Sequence, residues 1–195
     1  MKTDIILAGV GGQGILSIAT IIGSAALADN LHLKQAEVHG MSQRGGDVQS
    51  NLRISSHPIA SDLIPLGGAD IIISLEPMEA LRYVPYLSKT GWIVTNTTPF
   101  VNIPDYPDMK VIEDELDSFP NVVAFDMDSL AKEVATPRAS NMVLLGASTP
   151  FLGIPAERIE AGIRAVFGRK GDAIVESNLA AFRAGLERAK VLSKI

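Results

Sequence analysis

With 195 residues, 47% of them hydrophobic and 20% charged, the chain suits one domain with a sizeable core, and global disorder is excluded. A formal net charge of −5 argues against a general binder of nucleic acid or anionic membrane. There is no cysteine, which excludes disulfides, thiol catalysis, zinc–thiolate sites and cysteine-ligated iron–sulfur clusters on this chain.

Met1-Lys2-Thr3-Asp4 runs directly into the apolar Ile5–Ala8, which reads as a strand rather than a signal peptide. Next comes Gly9-Val10-Gly11-Gly12-Gln13-Gly14, and then an uncharged helical stretch, Ile15 to Ala28, too short to span a bilayer. A cytoplasmic protein without a membrane role is the expectation. Gly9, Gly11 and Gly14 have the G-x-G-x-x-G spacing of a dinucleotide-binding turn, in which glycines permit a tight bend and close backbone approach. The helix that follows would offer free N–H groups to an anion. The same glycines also serve packing alone, so the turn is well specified and its ligand is not.

A second strand is predicted at Lys34–Val38. A dinucleotide site normally carries an acidic residue about 20 positions beyond the glycines, and Glu37 stands near that place. It is followed, however, by His39-Gly40-Met41-Ser42-Gln43-Arg44-Gly45-Gly46-Asp47, a loop unlike a ribose pocket. Arg44 and the backbone there could hold a phosphate or carboxylate; alternatively the loop is a turn with Arg44 solvated or paired with Asp47. Gln49–Ser55 reads as an exposed strand or hairpin inserted before the next α/β unit, with His57-Pro58 turning the chain.

Short Ile- and Val-rich runs at Ile71–Leu75, Trp92–Thr95 and Val122–Phe125 lack alternation, as strands covered on both faces do. Helices are predicted between and after them, at Pro77–Leu87 and Asp128–Val134, while three prolines make Thr97–Met109 an irregular connection. Glu76, Asp126 and Asp128 follow strand ends, where α/β sites lie, but acids there also cap helices or stand solvated. The remainder is helical: Asn141–Leu152 with Ser140 as N-cap, Ala156–Phe167 starting after Pro155, and Asp172–Leu192 with an apolar stripe of Val175, Leu179, Phe182, Leu186 and Ala189. The expected fold is a single α/β domain over residues 1–195: three-layer α/β/α, Rossmann-like, with a mostly parallel sheet, an inserted hairpin and a helical C-terminal third.

The glycine turn followed by Glu37–Gly46 resembles the gamma subunit or domain of 2-oxoacid:ferredoxin oxidoreductases, and among them the small (beta) subunit of the indolepyruvate type. Ser74-Leu75-Glu76-Pro77 and the helix start at Asn141–Gly146 extend the resemblance over most of the chain. It implies a complex that oxidatively decarboxylates a 2-oxoacid such as an arylpyruvate on thiamine diphosphate. Electrons would pass through iron–sulfur clusters to ferredoxin, with coenzyme A as co-substrate. The chain lacks both cysteines and a G-D-G…N-N thiamine-diphosphate motif, so those cofactors would sit on a larger partner subunit, which would also be the link to ferredoxin. The expected role here is non-redox completion of the complex. Gly11, Gly12, Gln13 and Gly14, with His39, Ser42, Gln43, Arg44, Gly45 and Gly46, are the candidate surface for a cofactor, coenzyme A or substrate entry. An independent NAD(P)- or flavin-binding Rossmann enzyme, or a scaffold whose glycine turn binds nothing, are the alternatives.

Overall fold

A computed structural model describes residues 1–39 and 45–193, except for the side chain of His39. The sheet has six strands in the order β2-β3-β1-β4-β5-β6. These are β1 (Lys2–Val10), β2 (His32–His39), β3 (Asp47–Ser55), β4 (Ala69–Ser74), β5 (Leu87–Asn96) and β6 (Val122–Phe125). β1, β4, β5 and β6 run parallel, while β2 and β3 form the antiparallel hairpin at one side.

Strand side chains alternate between faces, and here both faces are covered. Ile5, Leu7, Ile71 and Ile73 pack into one apolar cluster, Ile6, Ala8 and Ile72 into the other. The first cluster is completed by α1 (Ile15–Ala28), α4 (Met127–Val134), α5 (Ser140–Ser148), α6 (Ala156–Phe167) and α7 (Asp172–Ser193). The second is closed by Ala80 of α2 (Pro77–Arg82) and by Ile112 and Leu116 of α3 (Met109–Asp117). This is the three-layer arrangement expected from the sequence, with the helical C-terminal third on one side.

Every residue of α5 except Asn141 is buried, because the helix lies between the sheet and α7. Glycines let the two helices touch backbone to backbone. A Cβ on Gly146 would stand 1.9 Å from the Phe182 carbonyl oxygen, and one on Gly185 would stand 2.0 Å from that of Val143.

Four details differ from the sequence reading. β3 is no exposed appendage: it pairs with both β1 and β2, and Leu52 and Ile54 are fully buried. The helix expected over Pro77–Leu87 stops at Arg82, since Pro85 lies in a 3₁₀ turn and Leu87 already belongs to β5. α3 was not predicted; its first turn is capped by Asp108, but only Ile112 and Leu116 are buried, too few to show a clear period. Ser140 is the first residue of α5 rather than its cap, and its hydroxyl donates to Asp128.

Candidate functional site at the carboxyl edge of the sheet

β1, β4, β5 and β6 all end on one edge, at Val10, Ser74, Asn96 and Phe125. The glycine turn leaves β1 there. Gly12 (φ 102°) and Gly14 (φ 84°) adopt left-handed conformations that other residues rarely take. Gly14 is also the N-cap of α1, and a Cβ on it would lie 2.6 Å from Asn141 Nδ2 at the start of α5. Asn141 Nδ2 donates to the Gly14 carbonyl at 3.4 Å. Gly9 is needed for space, since a Cβ would meet Gln13 Oε1 at 2.9 Å.

Gln13 works within the fold. Its Oε1 accepts the Val10 N–H at 2.8 Å, and its Nε2 donates to the Leu75 carbonyl at 3.4 Å, tying the ends of β1 and β4 together. Gly11 reaches the other way: its N–H donates to the Gly46 carbonyl at 2.8 Å, and its carbonyl accepts the Gly45 N–H at 3.4 Å. Two stretches separated by a helix and one strand thus meet through backbone. Of the sequence-predicted residues, Gly11, Gly12, Gln13, Gly14, Gly45 and Gly46 come together; Ser42, Gln43, Arg44 and the side chain of His39 lie outside the described residues.

The hairpin also accounts for Glu37. β3 lies between β2 and β1, and Glu37 is level with Ser50, which is level with Leu7. The carboxylate is therefore one strand away from the glycine turn, and on the exposed edge strand. A ribose-binding acid would stand beside the turn.

A buried carboxylate organises the adjoining part of the edge. Glu76 is only 1% exposed and caps α2, its Oε2 accepting the Glu79 N–H at 2.8 Å. Its Oε1 accepts the Phe100 N–H at 3.4 Å and the Tyr106 hydroxyl. Burial, with help from Glu76, pushes the Tyr106 phenol above its ordinary value, so it remains a donor at neutral pH. Burial likewise raises Glu79, opposed by the Arg82 guanidinium at 2.7 Å. Tyr83 is raised to about 12 by burial and by the negative charges of Asp47 and Glu79.

The other strand-end acids serve the fold. Asp126 caps α4 and is held below the usual carboxylate range by the Ser129 hydroxyl and N–H. Asp128 accepts from Asn96 Nδ2 at 3.3 Å and from Ser140. Sequence reasoning missed the Glu76–Tyr106 pair and the bond from Asn102 Nδ2 to the Gly45 carbonyl at 2.6 Å. Both reach into a proline-rich segment whose composition signals a loop and nothing about its anchors. Among the described residues no group of three or more His, Asp or Glu is placed to hold a metal ion, and no helix is long and apolar enough to cross a membrane. The edge therefore offers glycine backbone and a fixed loop, with Glu76, Asp126 and Asp128 already engaged within the fold.

A model of the pyruvate ferredoxin/flavodoxin oxidoreductase family matches residues 4–188. Indolepyruvate oxidoreductase subunit IorB of Pyrococcus horikoshii is 38% identical, with 96% of each chain covered. The gamma subunit of a keto/oxoacid ferredoxin oxidoreductase from Geobacter sulfurreducens superposes with a TM-score of 0.70 at 26% identity, covering 97% of this chain and 99% of that one. The 2-oxoglutarate:ferredoxin oxidoreductase of Magnetococcus marinus, solved with 2-oxoglutarate, coenzyme A and succinyl-CoA, superposes with a TM-score of 0.78 at 25% identity. That likeness covers all of this chain but 32% of the longer one, so this chain spans about a third of that relative.

Proposed function

This chain belongs to the pyruvate ferredoxin/flavodoxin oxidoreductase family, and we propose that it is the small subunit of an indolepyruvate or related arylpyruvate:ferredoxin oxidoreductase. The observation that carries the reading is the 38% identity to an indolepyruvate oxidoreductase subunit over 96% of both chains. In this reading the complex converts a 2-oxoacid and coenzyme A to acyl-CoA and carbon dioxide and reduces ferredoxin. It works in the cytoplasm, with residues 1–195 as one domain.

The residues present do not fit the redox groups. An iron–sulfur cluster needs thiolates and the chain has no cysteine, so clusters and thiamine diphosphate belong in this proposal to a larger partner, which hands electrons to ferredoxin. What this chain can supply is shape and backbone. The Gly11–Gly14 turn and the Gly45–Gly46 end of the hairpin, joined by the Gly11–Gly46 hydrogen bond, give a rigid glycine surface. With His39, Ser42, Gln43 and Arg44 it forms the proposed wall facing the partner's coenzyme A or substrate entry.

Native purification tests the subunit assignment. A tag on this chain should bring down a larger, brown, cysteine-rich polypeptide; a colourless chain recovered alone at native levels contradicts it. Arg44→Ala tests the wall. In the assembled complex it should alter activity, coenzyme A affinity or association, and no change in all three removes the wall from the proposal.

A further inference from the structure

Between β5 and α3 the chain crosses the carboxyl edge as a strap, residues 97–108, fastened at both sides. The Thr97 N–H donates to the Phe125 carbonyl at 3.1 Å and the Thr98 hydroxyl to Asp126 at 3.1 Å. Farther along, Phe100 N–H and the Tyr106 hydroxyl donate to the buried Glu76, and Asn102 Nδ2 donates to the Gly45 carbonyl at 2.6 Å. These polar groups of the strap thus turn back onto the rest of the protein.

Its large apolar side chains do the reverse. Phe100 is 45% exposed, Val101 67% and Ile103 42%. Nowhere else among the described residues do three exposed large apolar side chains fall within four consecutive positions. Single exposed apolar residues are ordinary, but a contiguous patch fixed in place marks an interaction surface. Exposed acids sit beside it: Asp105 and Asp108 on the strap, and Asp47 next to Gly46. An apolar centre with a charged rim is the anatomy of a protein interface.

We infer that the Phe100–Ile103 strap is the docking surface for the larger subunit of the proposed complex, received by an apolar groove edged with basic side chains. The inference rests on the subunit reading above. A second copy of this chain is the poorer occupant, because two such patches would bring like-charged acidic rims together on chains of net charge −5. The strap also touches the glycine surface through Asn102 and Gly45, so one partner can cover both.

The test uses the full chain and the purified thiamine-diphosphate and iron–sulfur subunit from the same organism. Val101→Asp/Ile103→Asp should weaken association roughly tenfold or more, the scale of a lost interface anchor. Asp105→Lys should slow association, and added salt should weaken the wild-type complex. Circular dichroism and the fluorescence of the only tryptophan, Trp92, which stacks on Phe151 at 4.2 Å, check that the variants fold. If the wild type binds the larger subunit and folded Val101→Asp/Ile103→Asp binds equally well, the strap is not the docking surface and the subunit reading stands. If the wild type does not bind, the subunit reading fails and the strap's role with it. A wild-type dimer that the double aspartate variant dissociates would overturn the inference in favour of self-association.

Discussion

The Gly11 N–H and the Gly46 carbonyl are hydrogen-bonded at 2.8 Å, so the turn after the first strand and the end of the β2–β3 hairpin form one continuous surface. That bond explains why a glycine fingerprint here need not imply a dinucleotide. The place beside the turn where a parallel second strand would bring its acid is taken by β3.

Gly14→Ala combines two costs. A left-handed non-glycine residue is strained, and the new Cβ would lie 2.6 Å from Asn141 Nδ2. The expected loss is about 1–3 kcal/mol by urea denaturation. Adding Asn141→Ser should recover the steric part but not the backbone part. Full recovery would mean that φ at Gly14 costs nothing.

Gly146→Ala tests the α5–α7 crossing. A Cβ 1.9 Å from the Phe182 carbonyl forces the helices apart and should cost about 3 kcal/mol or more, or prevent folding. Gly168→Ala, where a Cβ meets nothing within 4 Å, serves as the control and should change stability by less than about 1 kcal/mol. Equal thermal midpoints for the two variants would contradict the close crossing.

These glycines show what was legible in the sequence and what was not. Ile5–Ala8, Ile71–Leu75 and Val122–Phe125 announce buried strands because unbroken apolar runs have few other uses. The stripe through Val175, Leu179 and Phe182 likewise announces a packed helix. Gly146 and Gly185, by contrast, look like weak points of helices until the partner backbone is seen. Glu76 illustrates the same limit. A carboxylate before Pro77 reads as a cap, which it is, but its bond to Tyr106 spans 30 positions and no local pattern encodes it. The pairing of β3 with β1 is equally non-local, which is why Gln49–Ser55 read as an appendage.

At the opposite end of β1, Asp4 is 1% exposed and paired bidentately with Arg53 at 2.7 and 3.0 Å. Burial alone would raise its pKa, but Arg53 and Lys2 outweigh it and hold it below the ordinary value. A lowered carboxylate contributes stability that is complete above its unfolded pKa of about 3.9 and is lost as pH falls through the folded value. Arg53→Met should cost about 1–3 kcal/mol at neutral pH, because the buried carboxylate keeps only the exposed Lys2 ammonium at 2.7 Å as its partner. With burial then dominant, the variant should lose less stability than the wild type on acidification below about pH 4. Urea midpoints at neutral and acid pH check this; parallel losses in both proteins would contradict the role assigned to Arg53.

The central claim is that this chain completes an oxidoreductase whose redox chemistry lies elsewhere. Reconstitution tests it most directly: the purified larger subunit is assayed for ferredoxin reduction with indolepyruvate and coenzyme A, alone and with this chain added. The account predicts little activity from either protein alone and a rise that saturates near equal amounts of the two. A larger subunit fully active by itself and unchanged by the addition would contradict it.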